Sequence, residues 1–510
     1  MMPAVYRRII MTRQSLTSAL GIVAALTLAG CEVGPNFHRP EMAVPSHWAD
    51  PTTPSTGHKT PAAATAGNGI RSVVSRGPAH LAKWWTGFHD PVLNSLINRA
   101  LAQNLSLKQA QEQIVNAREI RDASAATLGP FVSGTAAYSH SRGSRNTGSG
   151  GGGFGPSESD LYQAGFDATW ELDIFGQVRR GVQAANADLK AAVDSRRGLM
   201  VTLLGEVGND YMALRGVQQQ IAITRYNLAS QLKTVKLLKA QIGGGIATQL
   251  ALTSAEAQAQ TTGSQIPELQ IQERTDIYAI SLLISQTPES LVKELSAAEP
   301  VPPPPPVVPI GLPGELLLRR PDVRQAEQQY AAATANVGVA EGNLFPQFTI
   351  NGNLGYAASN AAKWFDASSL AYGIGPSVSW SLLNWGQVNA SINEQKALRI
   401  AALLNYHQAV LQALSDADSA LAAYTREQVH EHDLAVAAAE NERAVRLSLQ
   451  LYKSGLTDYL NVLQAQQSLF ASQESLVLSR TAVSADLVAL YKALGGGWKP
   501  GSYAAAMRHK

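Results

Sequence analysis

The sequence predicts a mainly α-helical protein with a transmembrane β-barrel, built as an internal two-fold repeat. Each half of the chain contains two segments in which apolar and polar residues alternate, and two long stretches with helical periodicity. Alternation over about 9–11 residues is what a tilted membrane strand requires, whereas seven-residue periodicity is typical of coiled-coil helices. Each half is therefore predicted to contribute two β-strands and two long coiled-coil helices.

The N-terminal residues have the features of an export signal. Arg7, Arg8 and Arg13 precede an apolar stretch, Leu16–Ala29, that is too short to span a bilayer as a helix. We therefore predict that residues 1–30 are a lipoprotein signal peptide.

The apolar stretch ends in Leu28-Ala29-Gly30-Cys31, which resembles a bacterial lipobox. Cys31 is the only cysteine of the chain, so it cannot form an internal disulfide bond. We predict that Cys31 carries a covalent diacylglycerol and an N-acyl chain, the alternative being an inert buried thiol. Because glutamate (Glu32), and not aspartate, follows the cysteine, the expected location is the outer membrane, with the protein extending into the periplasm. No other cofactor is expected.

The composition argues against a nucleic-acid partner. The chain has 510 residues, of which only 16% are charged, and loss of residues 1–30 removes three arginines and no acidic residue, which takes the formal charge from +2 to −1. No segment of the mature chain has 18 consecutive apolar residues. If the mature protein crosses a membrane, we expect it to do so as a closed barrel.

The predicted organisation follows the repeat. We predict a lipidated extended arm (31–80), a proline-rich linker (300–318) between the repeats and a C-terminal tail (499–510). The first repeat (81–299) contains a helix, a hairpin (131–172) and long helices (177–242 and 248–286). The second repeat (319–498) contains a helix, a hairpin (347–383) and long helices (387–453 and 458–494). The initial helix of the first repeat is expected over Leu93–Thr127. The first hairpin loop contains Gly148–Gly153, which favours an exposed tip because no helix start with Lys-Ser/Thr follows it.

Matching motifs bound the elements of the two halves. The matched pairs are Ile174-Phe175-Gly176-Gln177-Val178 with Asn384-Trp385-Gly386-Gln387-Val388, Leu128-Gly129-Pro130 with Leu344-Phe345-Pro346, and Gly245 with Gly455. Four strands are too few to close a membrane barrel, because single-chain barrels begin at eight. Membrane insertion therefore requires several chains in a ring: two would give eight strands, and three would give twelve and a lumen. The alternative is a half-buried hairpin of a soluble sheet.

The long helices are expected to pack against each other. Apolar residues recur every seven positions at Val462, Leu469, Leu476, Val483 and Leu490. This spacing predicts a left-handed supercoiled seam. An antiparallel coiled coil within a soluble protein has the same pattern.

A set of motifs distributed over residues 31–498 resembles a known family. The motifs are Cys31…Gly34-Pro35…Arg39-Pro40, Leu317-Leu318-Arg319-Arg320-Pro321-Asp322, Leu344-Phe345-Pro346, Tyr452-Lys453-Ser454-Gly455 and Tyr491-Lys492-Ala493-Leu494-Gly495-Gly496-Gly497-Trp498. With these the chain resembles the TolC-like outer-membrane factors of tripartite RND-type efflux systems, in the lipoprotein branch similar to OprM. The resemblance implies a homotrimer with a 12-stranded β-barrel on a 12-helix α-barrel.

The resemblance also implies an exit duct for drugs or other small molecules. Its partners would be a periplasmic adaptor (membrane fusion protein), an inner-membrane transporter of the RND type and the lipid of the outer membrane. The alternative function is a lipid-anchored periplasmic coiled-coil scaffold or adaptor.

The same resemblance implies a gate near the turns between the long helices. Its residues would be Tyr452, which matches a tyrosine that latches the closed tip of related channels, with Asp458, Asn461 and Gln464. The similar proteins have an acid at the position of Gln464, and the first-repeat position that matches Asn461 is Ala251. An acidic ring binds cations, so the amide puts a cation-sensitive gate in doubt. The alternative is that Asn461 and Gln464 are solvated helix residues.

The turns themselves are the implied docking places for adaptor hairpins. They contain Gly243, Gly244 and Gly245 in the first repeat and Gly455 in the second, and turn chemistry alone would also explain these glycines.

No catalytic or metal site is predicted. In His430-Glu431-His432-Asp433 the two histidines are two positions apart and point to different sides of a helix. The chain contains no GxSxG or HExxH motif. We therefore expect that the protein is not an enzyme.

Overall fold

The computed structural model describes residues 32–49, 72–75, 81–143, 158–244, 247–499, 501 and 503. Predictions on Cys31, Gly245 and Gly148–Gly153 lie outside these residues.

The described chain is mainly helical, and its elements repeat in order. The helices are α1 (Pro91–Gln103), α2 (Leu105–Ala126), α3 (Gln177–Gly243), α4 (Gln249–Leu283), α5 (Pro313–Arg319), α6 (Pro321–Gly342), α7 (Trp385–Lys453) and α8 (Tyr459–Ala493), with short turns of helix at Leu81–Phe88, Pro288–Leu291, Val292–Leu295, Ala361–Lys363 and Ala367–Ser369. The strands are β1 (Val73–Ser75), β2 (Phe131–Arg142), β3 (Glu158–Leu172), β4 (Val307–Pro309), β5 (Gln347–Ala358) and β6 (Leu370–Ser379). The order helix, hairpin, long helix, long helix occurs twice, which confirms the internal repeat.

Two differences from the sequence prediction have local causes. The helix expected over Leu93–Thr127 is divided at Asn104, whose side-chain Oδ1 accepts from the backbone N–H of Leu107 at 2.9 Å and so caps the start of α2. The second predicted hairpin ends at Ser379, four residues early. Beyond it the indole N–H of Trp380 donates to the carbonyl of Leu344 at 3.1 Å. This side chain therefore hydrogen-bonds to the backbone just before β5.

Contacts divide the chain into two compact units that do not follow the two repeats. The first takes in Met1–Pro40, Ile114–Ala191 and Ala326–Tyr406, and the second takes in Glu41–Gln113, Ala192–Gln325 and His407–Lys510. Each unit therefore combines segments of both halves of the sequence.

The first unit contains an antiparallel four-stranded sheet in the order β2-β3-β5-β6. The hairpins join through β3 and β5, where Gly165 lies opposite Gly355. A Cβ atom on Gly165 would lie 2.7 Å from the Cα of Gly355, so the two backbones can approach this closely only without side chains. At the end of β3, Asp173 accepts from the backbone N–H groups of Val178 and Arg179, which caps α3.

The second unit contains the helical seams and a small parallel pairing of β1 with β4. Four of the five predicted heptad residues of α8, namely Val462, Leu469, Val483 and Leu490, are buried, and Leu476 is half-buried. The predicted periodicity is therefore the packing face of this helix. Among the described residues, none of the helices combines the length and the apolar character needed to span a membrane.

Candidate functional site

In the second unit, the ends of four long helices meet around one apolar cluster. The cluster consists of Val235 and Leu238 of α3, Ala251, Leu252 and Ala255 of α4, and Tyr459 and Val462 of α8, with Leu449 and Tyr452 of α7 packed against it. Burial of these side chains holds the α3–α4 turn beside the α7–α8 turn. We call this region the tip.

The α7–α8 turn has the geometry of a Schellman motif. Gly455 has a φ of +70°, its N–H donates to the carbonyl of Tyr452 at 3.0 Å, and the N–H of Leu456 donates to the carbonyl of Leu451 at 2.9 Å. The glycine is thus required by the backbone, as turn chemistry predicts. A Cβ atom at Gly455 would have no heavy atom within 4 Å, so space is left on its outer side.

The α3–α4 turn is built differently. The N–H of Gly244 donates to the carbonyl of Gln241 at 3.2 Å, and Thr248 Oγ1 accepts from the N–H of Ala251 at 3.2 Å, which caps α4. A Cβ atom at Gly243 would also lie in open space.

Tyr452 connects the two turns. Its hydroxyl donates to Oε1 of Gln241 at 2.8 Å, and its ring stands edge-on to Tyr459, with centroids 5.8 Å apart. Burial raises the pKa of Tyr459 to about 12 and that of Tyr452 above its ordinary value, so both hydroxyls are protonated at physiological pH. The hydroxyl of Tyr452 is therefore available as a donor, and its bond to Gln241 joins α7 to α3 within one chain.

The remaining predicted gate residues lie on the exposed side of α8. Asp458 stands at the N-cap position without a side-chain capping bond, and Asn461 and Gln464 are exposed. The amide of Asn461 donates to Thr457 Oγ1 at 2.7 Å. Because Asn461 and Gln464 are three residues apart, they share one face of the helix. The structure thus places both amides together on a polar face, away from the apolar cluster.

Sequence reasoning missed two features of the tip. One is Gln241, the partner of Tyr452, because pairing of residues 211 positions apart depends on the relative register of two helices. The other is the exposure of the repeat-related leucines Leu250 and Leu460, which are 67% and 56% exposed. The match between the two repeats pairs these leucines, but it does not show that both face solvent.

The sheet of the first unit has one apolar and one polar face. In the register of β3, Phe166 lies opposite Gly134 and Leu354 on the apolar face. On the other face, Thr135 donates to Asp167, Thr169 donates to Asn351, and Asn351 donates to Ser377. Side-chain hydrogen bonds on the polar face therefore join β2 to β3, β3 to β5 and β5 to β6.

Aromatic side chains mark both ends of the apolar face. At one end the indole N–H groups of Trp170 and Trp380 donate to the carbonyls of Leu128 and Leu344, equivalent positions in the two repeats. At the other end Tyr162 packs against Tyr138 and Trp364, with ring centroids 4.7 and 5.6 Å away. Tyr162 and Trp170 are eight residues apart on β3, or about 26 Å at strand spacing. At the tilt of about 35–45° of a membrane strand, this length spans about 20 Å of height, close to the height of about 25 Å of a lipid-facing band.

The described residues contain no cluster of three or more His, Cys, Asp or Glu side chains arranged to hold a metal ion. Near the histidine-rich segment, His430 Nδ1 lies 3.7 Å from a carboxylate oxygen of Glu427 one helical turn away, and Glu431 accepts from Arg480 at 3.0 Å. The segment therefore makes polar contacts along its own helix and an ion pair, Arg480 with Glu431, between helices.

Comparison with known proteins identifies the family. The sequence model described as "Outer membrane efflux protein" matches residues 96–284 and 312–496, most of both repeats. The chain belongs to this family.

Relatives of this outer membrane efflux protein align over most of its length. Nodulation protein T of Rhizobium leguminosarum bv. trifolii is 28% identical over 93% of this chain and 96% of the relative. The pyoverdine export outer membrane protein OpmQ of Pseudomonas aeruginosa is 31% identical over 82% of this chain and 88% of the relative. The solved structure of the outer-membrane channel OprN has a TM-score of 0.84 and 31% identity, covering 92% of this chain and 100% of OprN.

The family fixes the general function and the location. This outer membrane efflux protein has a TolC-like fold and works in efflux at the outer membrane of a Gram-negative bacterium, from which it extends into the periplasm. The family is one of transport channels and not one of enzymes.

Proposed function

We propose that three copies of the chain form the exit duct of a tripartite efflux pump, with a 12-stranded β-barrel above a 12-helix α-barrel. The observation that carries this proposal is the open four-stranded sheet with one apolar and one polar face, in which β2 and β6 lie at the edges. Unpaired strand edges are not tolerated in lipid. Pairing of β6 of one copy with β2 of the next removes every edge.

The number three follows from the family resemblance and agrees with the properties of the polar face. Twelve strands leave a lumen, whereas eight leave an interior that side chains fill. The network of Thr135, Asp167, Asn351 and Ser377 would then line water. A passive duct of this kind needs hydrated walls, and the cargo that we propose is small organic molecules, the class to which the pyoverdine of OpmQ's name belongs.

The tip is the proposed gate and docking end. Open space around Gly243 and Gly455 and the exposed Leu250 and Leu460 would receive the hairpins of a periplasmic adaptor, with an RND-type inner-membrane transporter as the energised partner. The amides of Asn461 and Gln464 would narrow the duct without fixed charge, so of the proposed gate residues only Asp458 carries a carboxylate.

The arm after the signal peptide supports lipid anchoring at Cys31. Arg180, whose side chain is only 3% exposed, donates from its guanidinium to the carbonyls of Val33 and Gly34, and the N–H of Val33 donates to Phe175 at 3.1 Å. Glu32 accepts from Gln183 at 2.5 Å. The residues directly after Cys31 are thus fixed at the junction of β3 with α3, where acyl chains would lie beside the lipid-facing band.

The assembly is tested with detergent-solubilised full-length protein. We expect a heat-labile band of three chains on an unheated gel, the same mass by light scattering with correction for detergent, and ion conductance after reconstitution into planar bilayers. A Cys31→Ser variant tests the anchor separately, since it should lose acylation and retain the trimer. A monodisperse monomer without conductance contradicts the proposal.

A further inference from the structure

The packing face of α3 changes from apolar to polar over three helical turns. Over residues 224–234 its buried residues are Thr224, Asn227, Gln231 and Thr234, spaced by three, four and three, and the buried apolar Val235 and Leu238 follow. These are positions of a coiled-coil seam, where apolar residues give stability and polar ones reduce it. We call this stretch, with Gln466 and Gln473 of α8, the polar section.

Part of the polar section is not satisfied by hydrogen bonds. The amide of Asn227 donates to Oε1 of Gln473 at 2.9 Å, which joins α3 to α8. In contrast, Oε1 of Gln231 and both amide atoms of Gln466 are buried without a hydrogen-bond partner, in side chains that are only 5% and 7% exposed. A buried polar group without a partner retains its full desolvation penalty. The packed seam is therefore less stable than an apolar seam of the same length.

The third helix of this region, α4, contains a proline beside the polar section. Pro267 lies inside α4, where it removes one backbone donor and disturbs the preceding turn. Gln265, two residues before it, has a buried Oε1 without a partner. A groove of about 410 Å³ opens here between α3, α4 and α8, lined among others by Thr224, Leu269 and Val477. The three helices thus leave a groove between them at this level.

Fully buried apolar residues lie on both sides of the polar section. Toward the turns lies the cluster of the tip, with Leu238 and Val462 fully buried. In the other direction along α3 and α8, Leu214 and Leu487 are fully buried. A weakly packed segment between two well-packed ones is the arrangement of a hinge.

We propose that the polar section is the hinge of the gate, where α3 and α8 part when the tip opens and re-pair when it closes. In the parted state water satisfies Gln231 and Gln466, which offsets the loss of packing and keeps the two states close in free energy. This inference rests on the proposed function of the tip as a gate.

The first test replaces the two glutamines with unsatisfied amides by leucine, a typical apolar residue of coiled-coil seams. Gln466→Leu and Gln231→Leu should raise the melting temperature of the purified protein and lower the open fraction in planar bilayers by about tenfold, because relief of one buried polar group favours the packed state. The matched control is Gln467→Leu, the same substitution at the next, exposed position, which loses only a 2.8 Å bond to Gln258. The control should leave the open fraction unchanged.

A second test does not depend on how leucine packs. Asn227→Cys with Gln473→Cys places two thiols across the polar section, and a short reducible bis-thiosulfonate linker can join them in a chain whose only natural cysteine is Cys31. Joining should abolish most of the conductance, and reduction should restore it. The control pair is Gly216→Cys with Thr481→Cys on the same two helices, where an added Cβ would lie 3.1 Å from the Cβ of Thr481. Linking this pair should leave conductance unchanged.

The outcomes separate the hinge from the duct. Unmodified protein that forms no conducting channel contradicts the proposed function itself. Normal conductance of the unmodified protein together with normal conductance of the linked 227–473 pair overturns the hinge. Equal inhibition by both linked pairs also overturns the hinge, because such a result means that the motion is not confined to the polar section.

Discussion

The two turns of the tip occupy equivalent places in the repeat, yet their local structures differ. In the first repeat Thr248 caps α4 through its hydroxyl, and Ala251 is buried in the apolar cluster. In the second repeat Asp458 makes no capping bond, and Asn461, which corresponds to Ala251, is exposed. The first turn is thus built for packing, and the second presents polar groups to solvent. The repeat contains two equivalent turns, and only the second has the exposed polar residues that we propose for the gate.

The largest effect is expected from the backbone of the second turn. Gly455→Ala forces a residue with a Cβ atom into the left-handed region, which costs about 1–2 kcal/mol, and no steric contact obscures this cost. Melting temperatures of the detergent-solubilised protein measure it. Gly243→Ala, at the end of α3 and also in open space, should cause no loss of stability. Equal losses at the two glycines contradict the difference between the turns.

The next largest difference in stability is expected between the N-cap residues of the two turns. Thr248→Ala removes the bond to the N–H of Ala251 and should cost about 1 kcal/mol. Asp458→Ala removes no such bond, so only the interaction of its charge with the helix dipole is lost, a few tenths of a kcal/mol. Thermal melts of the two variants in parallel give the comparison, and a larger effect at Asp458 would show that its capping bond forms in solution.

Loss of the hydrogen bond between Tyr452 and Gln241, which we call the latch, should have a smaller effect on stability. Tyr452→Phe removes the bond to Gln241 and keeps the ring packing on Tyr459, for a loss of about 0.5–1 kcal/mol. We expect a higher open fraction in planar bilayers, because the bond joins α7 to α3 only while the tip is packed. Tyr226→Phe, at an exposed position of α3, is the control and should leave the open fraction as it is. An unchanged open fraction in both variants rules out the latch.

The smallest effect on stability is expected at the exposed amide. Gln464→Glu should change the melting temperature little, as surface substitutions do. It should nevertheless make the conductance sensitive to millimolar divalent cations, because three copies would form a carboxylate ring. The same change at Gln467 serves as the control. Divalent block of the unmodified protein that is lost in Asp458→Ala would show that Asp458, and not position 464, binds the cations.

The sequence was sufficient for the repeated architecture because the signals are periodic. Alternation identified all four strands of the sheet, and heptad spacing identified the face of α8 with Val462 and Leu490. The break at Asn104 was missed because no glycine or proline marks it, and its evidence is a capping bond to Leu107.

The side-chain contacts at the tip could not be predicted from the sequence, because they depend on the relative position of helices that are distant along the chain. The glycine of the Schellman turn was found from its residue type, whereas the bond between Tyr452 and Gln241 depends on how far two long helices are shifted along each other. The unsatisfied Gln231 and Gln466 have ordinary surface-type side chains, and only their burial reveals their role.

The pairing of β3 with β5 has a consequence for assembly. These strands belong to different repeats and pair along eleven residues, so each chain already contains one hairpin-to-hairpin seam. A protein of a single repeat would need six copies to form the ring that we propose for three chains. The repeat therefore halves the number of subunits that must associate, and it allows the two turns of one chain to differ in sequence.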